Sequence, residues 1–291
     1  VDAPRDILSA ASSPGRAIVD RLEAQIAVVG GTRSTKAQSI EINRIAASMV
    51  RLGLPVAPAV RALPILYDAA DLPAKMADDL VAIGVSDIDL GPIGIAPHGT
   101  FVVAGPPGSG RSNAIAAIAA QVLRARPAVS AFYLGAARSS AVAAVGWTAT
   151  AFDASHGTAL LRDAVVEIDA GRVPMIVVEG LNEFASTTLE FTLSDVVKRA
   201  VRGEALLVAE GDTSQWISNF GLLGDIKASR RGIILQPETT DGDLVLKTTF
   251  PRIARGEFPI GRGILVQRGK VARVQLPLIV ASTENDRHVG N

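Results

Sequence analysis

The residues best suited to chemistry lie in one short stretch, Gly105-Pro106-Pro107-Gly108-Ser109-Gly110-Arg111-Ser112. They follow the apolar run Phe101-Val102-Val103-Ala104 and precede Ile115, Ile118, Ala119 and Val122 at helical spacing, so the order is strand, loop, helix. Glycines let such a loop curl until successive backbone N–H groups converge, and a helix N-terminus adds positive partial charge at the same point. The arrangement suits a di- or triphosphate, with the Ser112 hydroxyl placed for Mg2+ and Asn113 closing the set of contacting residues. Arg111 stands where a lysine normally reaches the outer phosphates. Arginine keeps the charge, but its planar fork is bulkier and binds bidentately, so nucleotide binding is expected to survive while turnover suffers.

A second half-site is expected at an apolar strand ending in an acid. Met175-Ile176-Val177-Val178 runs into Glu179-Gly180-Leu181-Asn182-Glu183. Glu179 would hold Mg2+ through water, or be an ordinary strand-end acid. Gly180 occupies the position of the expected general base, whose absence typically costs ~10² to 10⁴ in rate. Glu183 is a weak candidate to replace it. Glu210-Gly211-Asp212-Thr213-Ser214-Gln215-Trp216 fits either a nucleotide-sensing loop or a capped loop end. Arg230 and Arg231 fit either arginines acting on a neighbour's nucleotide or ordinary surface groups.

These residues need a frame. Phe101–Ala104, Ala131–Leu134, Met175–Val178, Leu206–Ala209 and Ile233–Leu235 are apolar runs bounded by turn residues, and they alternate with helical patterns through Leu161, Ala164, Val165 and Ile168 and through Leu189, Leu193, Val196, Val197 and Ala200. That alternation predicts a mostly parallel sheet flanked by helices. Gly171 sits at a plausible C-cap of one helix and Gly203 follows another. Upstream, Ser34 or Thr35 caps a helix carrying Ile42, Ile45, Met49 and Leu52 on one side. Pro55, Pro58, Pro64 and Pro73 mark an extended connector. The tail from Thr283 to Asn291 is polar and expected to fray. Gly15-Arg16-Ala17-Ile18-Val19 with Gln25-Ile26-Ala27-Val28 echoes Gly261-Arg262-Gly263-Ile264-Leu265 with Gln275-Leu276-Pro277-Leu278. The echo is either chance or the end of a preceding, similar domain. The expected organisation is residues 1–29 as tail strands of that domain, 30–74 as helix and connector, 75–280 as the main domain and 281–291 as a tail.

Composition narrows the function classes. The 291 residues carry 29 basic and 29 acidic side chains, so no general basic surface speaks for nucleic acid. Zero cysteines exclude disulfides and thiolate metal sites, and the three histidines, His98, His156 and His288, are scattered. No apolar run approaches the ~20 residues of a membrane helix. The chain opens on Val1 inside what reads as a continuing polypeptide, so it is expected to be part of something longer, including something membrane-anchored.

Taken together, the Leu63-Pro64 to Leu72-Pro73 lead-in, Gly94 to Ser112, Tyr133-Leu134-Gly135, Val177 to Leu181, Ser229-Arg230-Arg231-Gly232, Leu235-Gln236-Pro237, Asp241-Gly242-Asp243 and Gly261-Arg262-Gly263 resemble the last ATPase-like module of EccC-type proteins, the FtsK/SpoIIIE-related ATPases of type VII (ESX) secretion. The resemblance implies an α/β, RecA-like P-loop NTPase domain with antiparallel C-terminal strands, in a chain of similar modules on the cytoplasmic face of the plasma membrane. It implies ATP and Mg2+ as cofactors at a degenerate site, with Arg262 and Gly263 flanking the nucleotide. It also implies docking of the C-terminal signal of small helical-hairpin substrates, and a ring-shaped assembly. A DNA-translocating ATPase of the FtsK/SpoIIIE type and a nucleotide-free interaction scaffold are the alternatives, the former disfavoured by the charge balance.

Overall fold

The computed structural model describes residues 12–19, 22–55, 62–184, 187–218, 221–253, 256–267 and 269–279. Pro58 of the expected connector and the polar tail after residue 279 lie outside them. The chain divides into two compact units, Val1–Val60 and Arg61–Asn291.

The first unit holds an antiparallel hairpin, β1 (Arg16–Val19) and β2 (Leu22–Gln25), and one helix, α1 (Thr35–Arg51). Of the two candidate caps, Ser34 is the one used: its hydroxyl accepts the Ala37 N–H at 3.3 Å. Ile42, Ile45, Met49 and Leu52 of the expected apolar face are all exposed.

The second unit runs β3 (Val81–Ser86), β4 (Pro92–Ile95), β5 (Gly99–Gly105), α2 (Arg111–Ala125), β6 (Ala131–Leu134), α3 (Ser140–Ala144), β7 (Ala149–Ala151), α4 (Ala154–Asp169), β8 (Met175–Val178), α5 (Leu181–Phe184), α6 (Glu190–Val201), β9 (Leu206–Asp212), α7 (Gly221–Lys227), β10 (Gly232–Leu235), α8 (Asp241–Leu246), β11 (Arg262–Gln267) and β12 (Lys270–Gln275). All ten strands form one sheet in the order β4-β3-β12-β11-β10-β5-β9-β8-β6-β7. From β10 to β7 the pairs are parallel, and from β10 to β4 they are antiparallel. The five predicted parallel strands are all present. The antiparallel part is larger than predicted, because β3 and β4 join the two C-terminal strands. Pro92 lacks a ladder N–H, which suits β4 to the sheet edge it occupies.

Both faces of the parallel strands are buried, which explains their unbroken apolar sequences. Phe101, Val103, Val177, Val208 and Ile233 pack with Ile115, Ile118 and Val122 of α2 in one apolar cluster. Val102, Ile176, Leu207 and Ile234, which alternate with them, pack with Leu161 of α4 and Leu193, Val196 and Val197 of α6 in the other. Parallel pairing brings the carboxyl ends of β5, β8 and β9 to one edge of the sheet. The loop from Gly105, Glu179 after β8, and Glu210 to Asp212 at the end of β9 therefore meet.

The echoed hairpins share their geometry. Arg16 pairs with Gln25 in β1–β2, and Arg262 pairs with Gln275 in β11–β12. The Ile26 N–H donates to Gly15 O at 2.8 Å, and the Leu276 N–H donates to Gly261 O at 2.9 Å. Gln25 Nε2 donates to Ile26 O at 3.1 Å, and Gln275 Nε2 donates to Leu276 O at 3.2 Å.

Candidate functional site

The loop after β5 reaches α2 through Gly110, whose φ of 96° lies in the left-handed region that favours glycine. Helix α2 therefore begins without a side-chain cap. Among the described residues the backbone N–H groups of Gly108, Gly110, Arg111 and Ser112 have no acceptor. Such orphan donors at a helix start form an anion-binding concavity. The Ser109 hydroxyl is buried beneath the loop and has no partner among the described residues. The Ser109 carbonyl accepts the Gly261 N–H at 3.0 Å, so the turn into β11 braces the loop.

Arg111, the first residue of α2, points back into the protein. Its Nε lies 2.5 Å from Glu210 Oε1, and its Nη1 donates to Asp212 Oδ2 at 3.2 Å and to Gly105 O at 2.5 Å. Glu210 also accepts the Gly180 N–H at 2.8 Å. Burial pushes the Glu210 carboxyl above its ordinary range, against the pull of the Gly180 N–H and of Arg111. Asp212 is lowered, first by the Ser214 hydroxyl and further by Arg111. Asp212 also caps the 3-10 turn Thr213–Ile217 in a reciprocal box with Gln215. The capped-loop interpretation of this segment thus describes its geometry.

Ser112, one residue further into α2, donates its hydroxyl to Glu179 Oε1 at 2.6 Å. The other Glu179 oxygen accepts the Tyr133 hydroxyl. Burial first, and then this bond, raises the Tyr133 phenol. Glu179 is thereby fixed facing the loop.

Gly180 has a φ of 70°, and a Cβ built there would lie 3.4 Å from Glu183 Oε1. Gly180→Ala is expected to cost about 1 kcal/mol, because a left-handed backbone opposes any side chain. Urea unfolding, read with unchanged slope, checks it. Glu183 is exposed in α5, with its carboxylate beside Gly180.

Other candidate residues are engaged elsewhere. The Asn113 amide donates to Pro277 O at 2.9 Å and accepts the Ile279 N–H at 2.8 Å, fastening the segment after β12 rather than facing the loop. Arg262 donates to Leu63 O and Pro64 O at 3.1 and 2.8 Å and to Gln275 Oε1 at 3.1 Å, which ties the lead-in segment to β11. Gly263 serves strand packing, since a Cβ there would stand 2.5 Å from Ile234 O. Arg230 and Arg231 lie at the amino end of β10, the sheet edge opposite the loop. Arg231 donates to His98 O and Ala96 O at 2.7 and 3.0 Å, while Arg230 is exposed. A cavity of about 570 Å³ adjoins the loop, lined mainly by Tyr67, Pro259, Ile260, Leu276 and Leu278, with Asn113 at its wall.

No protein-family model matches the sequence, and no curated protein matches it. Solved structures do match. The cytoplasmic domain of the Thermomonospora curvata type VII secretion ATPase EccC aligns with a TM-score of 0.65 at 19% identity, over 91% of this chain and 34% of that one. ATPases 2 and 3 of Thermomonospora curvata EccC, in complex with a signal sequence peptide, align at 0.64 and 20%, over 91% and 53%. EssC (ATPases 2 and 3) from Geobacillus thermodenitrificans aligns at 0.59 and 16%, over 92% and 56%. The chain thus spans about a third to just over half of these proteins. Its fold is theirs: the RecA-like fold of those ATPase domains, with a mostly parallel central sheet flanked by helices. Among the described residues no helix is long and apolar enough to cross a membrane.

Proposed function

We propose that this chain is a nucleotide-binding module of an EccC-type ATPase of type VII secretion, one that binds Mg·ATP and hydrolyses it slowly. The carrying observation is the set of N–H groups of Gly108, Gly110, Arg111 and Ser112, partnerless among the described residues, beside the Ser112–Glu179 pair. A triphosphate fits that set, because the helix start and the amides supply positive potential at a fixed place. Among the described residues no group of three or more His, Asp or Glu is arranged to hold a metal by itself. Mg2+ commonly relies on one or two protein oxygens plus substrate phosphates, and Ser112 with Glu179 supplies that share. The metal would neutralise phosphate charge. The apolar cavity against Tyr67 and Ile260 has room for a nucleoside base.

Slow cleavage follows from the residues around the cradle. Arg111 is paired with Glu210 and Asp212, and Gly180 carries no carboxylate with which to activate water. Glu183, in α5 with its carboxylate beside Gly180, is the candidate substitute. A module of this kind regulates its neighbours and docks substrate more than it drives transport. We assign the C-terminal signal of small helical-hairpin substrates as its partner. The β1–β2 hairpin is read as the closing hairpin of a preceding module, on the strength of the register and polar clasp it shares with β11–β12. The module then belongs to a membrane-anchored protein and lies on the cytoplasmic face. We assign Arg230, exposed at the amino end of β10, to a neighbouring module's nucleotide in a ring; Arg231 donates to backbone carbonyls.

Calorimetric titration with Mg·ATP, paired with phosphate release, tests this. Saturable binding with release far below the ~1 to 10³ s⁻¹ of ordinary enzymes is expected. Absence of binding, or release within that range, overturns it. Absent binding would favour the interaction scaffold, for which the internal pairing of Arg111 already speaks.

A further inference from the structure

We propose that Arg111 is a latch: Glu210 and Asp212 hold its guanidinium in competition with the outer phosphates of a nucleotide, so this strand end sets how tightly the module binds ATP. The inference deepens the nucleotide-binding proposal and rests on it.

The guanidinium is already committed. Nε is ion-paired with Glu210 at 2.5 Å, and Nη1 donates to Asp212 and to the Gly105 carbonyl. The Arg111 side chain is 22% exposed and that of Glu210 only 5%, so the first of these pairs is largely screened from water. Swinging Arg111 outward would leave Glu210 buried with the Gly180 N–H as its remaining donor. An unpaired buried carboxylate is costly, and this resists the move. Asp212 is 25% exposed and keeps its cap on Ser214, so its share is smaller. Glu210, paired with Arg111, also has the carboxylates of Glu179 and Asp212 nearby. With Arg111 so paired, the polyanion would meet the backbone amides without the side chain that normally compensates its outer charge.

Glu210→Gln tests the latch. Glutamine keeps an acceptor for the Gly180 N–H and the shape of the side chain, while removing the charge that holds Arg111. Titration with Mg·ATPγS, so that hydrolysis plays no part, should show fivefold or greater tightening over the parent chain. Asp212→Asn should tighten binding less, and it provides a second variant if Glu210→Gln folds poorly. Glu238→Gln is the charge control. Glu238 is exposed in the loop after β10, and among the described residues no bond joins its carboxylate to Arg111, so its removal should change affinity less than twofold.

A smaller gain in both latch variants, weaker binding by either, or equal tightening by Glu238→Gln overturns the latch while leaving nucleotide binding intact. Failure of the parent and all variants to bind at millimolar Mg·ATPγS sinks the nucleotide-binding proposal, and the latch with it. Binding by Glu210→Gln where the parent shows none supports the latch most strongly.

Discussion

Ser112→Ala should weaken Mg·ATP binding by roughly tenfold to a hundredfold, and the loss should disappear when Mg2+ is chelated. The Ser112 hydroxyl donates to Glu179 Oε1 at 2.6 Å, which leaves its lone pairs directed away from Glu179 for a cation. Glu179 is held from its other side by the Tyr133 hydroxyl, so the pair needs no rearrangement before it can act. A contact to a charged group contributes about 1.5 to 3 kcal/mol, and each 1.4 kcal/mol is a factor of ten. Alanine also leaves the backbone N–H groups of the loop in place, so binding without metal should be nearly unchanged. Titrations with and without EDTA separate the two contributions. An equal loss in both conditions would mean that Ser112 supports the loop rather than the metal.

The sheet was legible because its parallel strands are buried on both faces. Phe101 to Ala104 and Met175 to Val178 have no polar alternation to obscure them, and glycines and charged residues mark their ends. The cradle was legible for a related reason, since glycine spacing directly constrains a tight loop. Strands β3 and β4 were not, because Gly84, Gly94 and Pro92 interrupt their apolar pattern and the pairing that joins them to the sheet, β3 with β12, spans almost 200 residues. The counter-charges were equally hidden. Nothing local in Glu210-Gly211-Asp212 says that Arg111, on a different element, turns toward it; only the parallel register of β5 with β9, which sets Val103 beside Glu210 and Gly105 beside Asp212, brings them together. Long polar side chains were the hardest to place. Asn113, Arg231 and Arg262 have the residue types of a phosphate site, yet all three bind backbone oxygens of segments more than 130 residues distant. Gly180 shows the opposite case. From sequence it is a missing carboxylate, whereas its φ of 70° reveals a backbone that itself disfavours one.

A still larger effect on stability is expected at a residue with no evident motif. Lys227, at the end of α7, is fully buried, and its ammonium donates to Trp216 O, Ser218 O and Leu244 O at 2.5, 3.0 and 3.0 Å. Among the described residues no carboxylate pairs with it, and burial lowers its pKa. Lys227→Met keeps an apolar stem of similar length but takes the ammonium from the buried Trp216 carbonyl and from the part-buried carbonyls of Ser218 and Leu244. Each unsatisfied group costs about 1 to 3 kcal/mol, while the relieved burial of a cation returns part of that sum. The carbonyls prevail on this count, with a net loss of about 3 kcal/mol. For a domain of this size the melting temperature should fall by roughly 6 to 12 °C, as calorimetry would read directly. The effect should reach the nucleotide site as well. Trp216 belongs to the 3-10 turn capped by Asp212, and the same turn carries Ser214, which helps to hold that carboxylate in place for Arg111. In the folded variant, Mg·ATPγS should therefore bind more tightly than in the parent chain, in the direction of Asp212→Asn. A variant that melts lower but binds with unchanged affinity would separate the peg at Lys227 from the latch at Arg111.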